Sequence, residues 1–436
     1  MLIVLGQFFL CLSILIVLHE AGHFFAARMF NTKVEKFYLF FNPWFSLFKK
    51  KIGDTTYGVG WLPLGGYVKI AGMIDESMDQ EQMKKPAKDW EFRSKPRWQR
   101  LIIMLGGVVV NFVLAFFIYV FMFGYWGEKV IEQKPLSIYS EVVGLVNEFP
   151  LKSGEKIIKI NEKEVDNMCW RDVKMELVLW GDKNIVVSRK GRQENVSFTQ
   201  EHINKIINRN IIIDDMPFEI DVVLEGVAKK AGLIKGDVLK SINGTPVSGR
   251  QEFVSIFRKN ENKTILVGFE RGEDDLVANL SLPQKDENGN VLIGVSVKLP
   301  EENIINYSFF NSFPAALKRT KKEIVNYLGQ FGLLFRIDDG AKQLGGFITI
   351  GSLFGPTWDW EHFWGLTAFI SIMLAIVNLL PIPALDGGHV LILLIEMVIG
   401  RDINPKILGY IQVVGMVLLL GLFVLANVND VIRLFQ

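Results

Sequence analysis

Along this chain the apolar positions come in two kinds of pattern. Residues 1–18 carry no charged side chain at all, and three later stretches are nearly as uniform. Spanning a bilayer takes roughly 20 apolar residues in helical form. Segments at about 2–26, 101–123, 362–383 and 407–427 meet that length, so the expected fold is a multi-pass α-helical membrane protein with about four transmembrane helices. Between the second and third lies a region of different character, 124–360, with short β-branched runs punctuated by Gly, Asn and Asp, the pattern of strands and turns. Two local patterns stand out. Residues 55–73, TTYGVGWLPLGGYVKIAGM, alternate like strands and carry glycines. The stretch from about 309 to 335 places apolar residues near helical spacing with a basic face, which predicts an amphipathic helix on a membrane surface. Packing against the strand-rich region is the competing expectation.

Composition agrees with a membrane protein. Hydrophobic residues are 50% of the 436 and the mean hydropathy is +0.26, too apolar for an ordinary soluble enzyme. The formal net charge of +1 gives no electrostatic reason to expect nucleic acid as a partner. The first apolar run lacks a basic leader and a small-residue cleavage site, so it is expected to be a retained helix rather than a signal peptide. Cys11 lies in that run and Cys169 in the strand-rich region, which argues against a disulfide between them. The loop between the first two spans holds thirteen basic residues from Lys33 to Arg100, among them Lys49–Lys51, Lys84 and Lys85. Basic loops stay in the cytoplasm. Both termini and the 124–360 region are then expected on the other side.

The strand-rich region contains an internal repeat. GEKIIKINEKEV begins at 154 and GDVLKSINGTPV at 236, 82 residues apart. With VVLEGVAKKAGLIKGD before it, the second copy resembles a PDZ domain. The first resembles it only over Gly154–Val165 and is read as a degenerate copy.

The chemistry is concentrated at HEAGH, residues 19–23. Ionisable residues inside a spanning helix are expensive and mark functional sites. Two histidines four apart share a helix face and suit Zn²⁺, with the intervening Glu20 as general base. The bland alternative is a polar trio hydrogen-bonded to neighbouring helices. A catalytic zinc needs a third protein ligand and an open position. The other histidines are His202, His362 and His389, and of these His389 shares the polar cluster NLLPIPALDGGH, 378–389, with Asp386. Asp386 and His389 are both candidates. Asp386 could instead be an N-cap for a helix starting near Val390.

HEAGH, LPLGGYVKIAGM at 62–73, the PDZ pair and NLLPIPALDGGH, in this order, resemble the bacterial site-2 protease family of the RseP type (peptidase family M50), intramembrane zinc metalloproteases. The resemblance covers essentially the whole chain. It implies His19 and His23 as zinc ligands, Glu20 as the base and Asp386 as the third ligand. It implies substrate-backbone contact for Asn378, and a supporting role for Asn111 in GGVVVN, where Val108 stands at a position usually occupied by Pro. The stretch at 52–73 resembles the family's membrane-associated β-hairpin, whose edge at Gly65, Gly66, Tyr67, Val68 and Lys69 would pair with an extended substrate. A plain cytoplasmic hairpin is the alternative.

The implied organisation runs as follows: span 1 with the motif at 1–30; a cytoplasmic loop at 31–100; span 2 at 101–124; PDZ domains at 130–215 and 216–300; the amphipathic segment at 305–360; span 3 with Leu-Asp-Gly at 361–389; and span 4 at 405–428. Implied substrates are single-span membrane proteins, either anti-sigma factors already trimmed outside the membrane or signal-peptide remnants, cut by a monomer in the bacterial inner membrane. The rival class is a membrane-tethered PDZ binding or chaperone module with a vestigial zinc site.

Overall fold

Helix α1, Leu2–Met29, is followed by strands β1 Val34–Leu39, β2 Phe48–Ile52, β3 Thr55–Val59 and β4 Tyr67–Ile70, and then by α2, Arg97–Tyr125. Beyond the strand-rich insertion come α3 Phe309–Leu333, α4 Phe347–Ser352, α5 Trp360–Leu379, α6 Asp386–Ile399 and α7 Pro405–Leu434. The structure is a computed structural model. It describes residues 2–63, 65–73, 86–131, 137–139, 149–152, 155–165, 168, 170–189, 191–207, 212–214, 217–247, 249–286, 289–298, 302–336 and 340–434. Lys84, Lys85, Gly154 and Cys169 lie outside these. The chain divides into two compact units, residues 1–128, 306–334 and 339–436 in one and 129–305 with 335–338 in the other.

Among the described residues of the first unit, four helices are long and apolar enough to cross a membrane: Leu2–Met29, Arg97–Tyr125, Trp360–Leu379 and Lys406–Arg433. A helix satisfies its own backbone groups, which a lipid core requires. Helices α1 and α2 meet through glycines. A Cβ on Gly22 would overlap the Gly106 carbonyl, and one on Gly106 would overlap Gly22, so only small residues permit this approach. Helix α2 also packs on α5 and α3.

Helix α3 departs from the amphipathic surface helix expected at 309–335. It lies against α2 and α5, burying Ser312, Ala316, Thr320, Glu323, Asn326 and Gly329, while Phe309, Phe310, Leu317, Val325 and Leu328 are exposed. The small and polar stripe faces protein and much of the apolar surface faces out. The buried charge is matched, since Arg319 Nε lies 2.9 Å from Glu323. Helical spacing shows that a stripe exists, but not which of its sides is covered.

The loop between α1 and α2 forms one four-stranded sheet in the order β2-β3-β1-β4. Its tight hairpin is β2–β3, turning at Gly53 with φ 59°. The expected hairpin at 52–73 is therefore corrected. Strand β4 pairs antiparallel with β1, and β1 pairs parallel with β3. Strand β1, which the alternation at 55–73 cannot include, lies between them. This leaves β4 as an edge strand.

Within 361–389, the segment expected to hold span 3 and Leu-Asp-Gly, α5 ends at Leu379 and α6 starts afresh at Asp386. Pro381 and Pro383 lack the N–H groups that would continue the helix.

The second unit carries the repeat, and the two copies agree atom for atom at several points. Lys156–Ile160 and Val238–Ile242 each turn through an asparagine at positive φ, Asn161 at 53° and Asn243 at 50°. Each side chain accepts from the next strand, Asn161 from the Asn184 N–H at 3.0 Å and Asn243 from the Leu266 N–H at 2.9 Å. Buried Glu155 is held by Arg189, as buried Asp237 is by Arg271. All these partners are 82 residues apart. The sheets run Arg192–Phe198, Lys183–Arg189, Lys156–Ile160, Lys163–Glu164 in the first copy. In the second, Asp274–Ser281, Thr264–Arg271, Val238–Ile242, Phe218–Val223 and Val295–Val297 follow in order.

Candidate metal centre

Residues 19, 20 and 23 fall on one side of α1 by helical spacing, and the glycine contact with α2 closes that side. A Cβ on Gly107 would overlap His23 Nε2 and crowd His19. The residue at 107 is thus part of the seat of the histidines.

Asp386 reaches them from the start of α6. It is the first helical residue and not the cap, because Leu385 holds the N-cap position without a side-chain bond. The capping alternative for Asp386 is set aside. Its Oδ2 lies 3.2 Å from His19 Nε2 and 3.3 Å from His23 Nε2, and the two Nε2 atoms are 3.3 Å apart. Gly387 and Gly388 let the helix begin so close to the break, since a Cβ on Gly387 would overlap the carbonyls of Leu379 and Leu380.

Three donor atoms form a nearly equilateral triangle. Donors around a tetrahedral Zn²⁺ with bonds of ~2.0–2.1 Å stand about 3.3–3.4 Å apart, so the spacing fits that ion with its fourth position open. Among the described residues this is the group of histidine and carboxylate side chains close enough to hold a metal. The shell behind it is also in place. His23 Nδ1 lies 2.9 Å from the Ile103 carbonyl, which directs the proton to Nδ1 and the Nε2 lone pair inward. His19 Nδ1 faces the Asn111 carboxamide at 3.1 Å. With Nε2 in the cluster, that Nδ1 carries the proton and the carboxamide presents its oxygen. The rotamer that does so also gives a partner to the buried, unpaired Asn111 Oδ1.

The cluster opens into a cavity of about 540 Å³ lined by Glu20, Gly66, Tyr67, Val68, Lys69 and His389, among others. Gly66 lets β4 lie on α1, because a Cβ there would press on Ile16 and the Tyr38 carbonyl. The Val68 N–H bonds to the Glu20 carboxylate. The edge strand and the carboxylate are therefore adjacent.

Of the residues singled out from sequence, His19, Glu20, His23, Asp386 and Gly66–Lys69 meet at this cavity. Asn111 and Asn378 touch His19, Asn378 Nδ2 at 3.3 Å from its Nε2. Gly65 stands against the Phe41 ring. His389 lines the cavity outside the donor triangle. His362 sits at the start of α5, and His202 packs against Phe149 and Phe198 in the first repeat. Sequence reasoning missed the seat made by Gly22, Gly106 and Gly107, and it missed Ser371, whose hydroxyl donates to the Asn111 carbonyl at 2.8 Å. The GG pair ahead of Asn111 was the available signal.

Comparison with known proteins adds independent findings. The model of the family described as Peptidase family M50 matches residues 7–422. The chain is 29% identical to the Regulator of sigma-E protease RseP of Escherichia coli, covering 99% of this chain and 98% of that protein. It is 30% identical to the Regulator of sigma E protease of Haemophilus influenzae, covering 99% of both. Among solved structures, the PDZ domain of an SdrC-like protein of Listeria monocytogenes matches 19% of this chain and 88% of its own, at 22% identity and a TM-score of 0.18.

Proposed function

Since the chain belongs to peptidase family M50 and is a zinc metalloprotease of the site-2 type, we propose that it hydrolyses peptide bonds within the membrane-spanning segments of single-span membrane proteins. The observation that carries this reading is the triangle of His19, His23 and Asp386 donor atoms at 3.2–3.3 Å, set in apolar helices beside Glu20 and an edge strand. When bound there, zinc would supply a Lewis acid for the scissile carbonyl and lower the pKa of a water. Glu20 takes a proton from the attacking water and delivers it to the leaving nitrogen. Asn111 and the Ile103 carbonyl hold the two imidazoles in the tautomer that leaves both Nε2 atoms free to bind. Asn378, next to His19, supports the substrate backbone. A peptide bond in a helix is shielded by its own hydrogen bonds, so the substrate is drawn out and lies along β4 by strand addition.

The repeated modules are read as two PDZ domains on the extracytoplasmic side that restrict access, with the termini on the same side and the active site toward the cytoplasm of a bacterial inner membrane. Substrates are then anti-sigma factors trimmed outside the membrane, or signal-peptide remnants. The test is cleavage of a purified single-span substrate in detergent by zinc-loaded protein. Activity should vanish on chelation and return with stoichiometric zinc. Cleavage that survives complete metal removal would overturn the reading.

A further inference from the structure

Gln412 is a carboxamide on α7, the candidate span with the largest share of its surface exposed. The residue itself is 6% exposed and lines the cavity that holds His19, Glu20, His23, Asp386 and β4. Polar side chains in spanning helices face a cavity or partner and mark functional positions. Among the described residues none hydrogen-bonds its carboxamide. The other carboxamide at the cavity wall, Asn42, is occupied: it accepts from the Tyr67 hydroxyl at 2.9 Å and donates to Ser46 at 3.1 Å.

The placement of Gln412 is built. Three residues on, Gly415 brings α7 against the backbone of Pro383, where a Cβ would overlap the Pro383 carbonyl. Pro383 lies in the break three residues before Asp386. Positions three apart on a helix share a face, so the contact that seats α7 on the break also delivers residue 412 to the cavity.

An extended peptide alternates its N–H and C=O groups between its two edges. The edge lying along β4 can pair with that strand. Groups on the other edge, away from water, need partners of their own. A carboxamide offers both a donor and an acceptor. We propose that Gln412 binds the main chain of the unwound substrate on the edge facing away from β4, donating to a peptide carbonyl and accepting from a peptide N–H. This rests on the protease reading above. Because it reads backbone, its contribution is the same for substrates of different sequence.

The test uses full-length, zinc-loaded protein and two unrelated single-span substrates. Gln412→Leu should lower kcat/KM on the order of tenfold for both, as expected for lost hydrogen bonds to a buried partner. Added to Glu20→Gln, it should weaken substrate binding by a similar factor. Zinc content and Tm should match wild type. Unchanged binding and turnover would overturn the proposal. So would a loss that tracks zinc content or Tm, since the side chain would then be structural. A zinc-loaded wild type that cuts neither substrate is a separate result, and it would overturn the protease reading itself.

Discussion

Glu20 sits beside three donor atoms without being one of them, and this separates the chemistry from the metal. Glu20→Gln should reduce cleavage by about 10²–10⁴-fold, the usual contribution of a general base, while zinc measured by atomic absorption stays stoichiometric. Asp386→Ala should lose zinc, as should His19→Ala and His23→Ala. If Asp386→Ala keeps tight zinc and His389→Ala loses it, the third ligand has been misassigned. A subtler test lies under the histidines. Gly107→Ala adds one methyl group where His23 Nε2 stands. Overpacking of this kind costs typically ~1–3 kcal/mol, so zinc affinity should fall on the order of tenfold or more in a competition titration. Wild-type affinity would show that the helices can part without cost.

Strand β4 is an edge whose Val68 N–H already contacts Glu20. Proline at 68 removes that donor and any donation to an incoming strand. Val68→Pro should cut turnover of a helical substrate at least tenfold with zinc content normal, because β4 lies outside the donor triangle. Unchanged turnover would reject strand addition here. The sheet also illustrates what local pattern leaves open. Alternation at 55–73 shows strands, but pairing β4 with β1 depends on the chain from 40 to 54, β2 included, returning β3 parallel to β1. No two-residue turn signal can announce that.

For the whole molecule, the question is why a unit as large as residues 129–305 is inserted into an intramembrane protease. A site that accepted every passing helix would destroy other membrane proteins. On the proposed reading, the two repeated modules act as PDZ domains outside the membrane that exclude bulky ectodomains and admit trimmed stubs. Replacing about 135–300 with a flexible linker should allow full-length substrate to be cut. Under the alternative, capture of the stub's new C-terminus, the truncation would cut stubs more slowly and still spare full-length substrate. Refusal of full-length substrate by folded, zinc-loaded truncated protein would sink exclusion. Gel analysis of both substrates against both enzymes separates the outcomes.

The chain alone marked its four candidate spans, because twenty apolar residues in lipid have few structures open to them. Helical spacing likewise put His19 and His23 on one face, and the 82-residue repeat announced itself in order and spacing. Long-range placement was decided elsewhere. Asp386 could have been a cap by local rules, and His389 was as good a ligand by residue type. What brings Asp386 to the histidines is the break at Leu380–Leu385, with glycines that let α6 begin against it. The covered side of α3, the central position of β1 and the arrival of Gln412 at the cavity are of the same kind. Each depends on which surfaces meet, and contacts between residues hundreds of positions apart leave no periodic trace in the sequence.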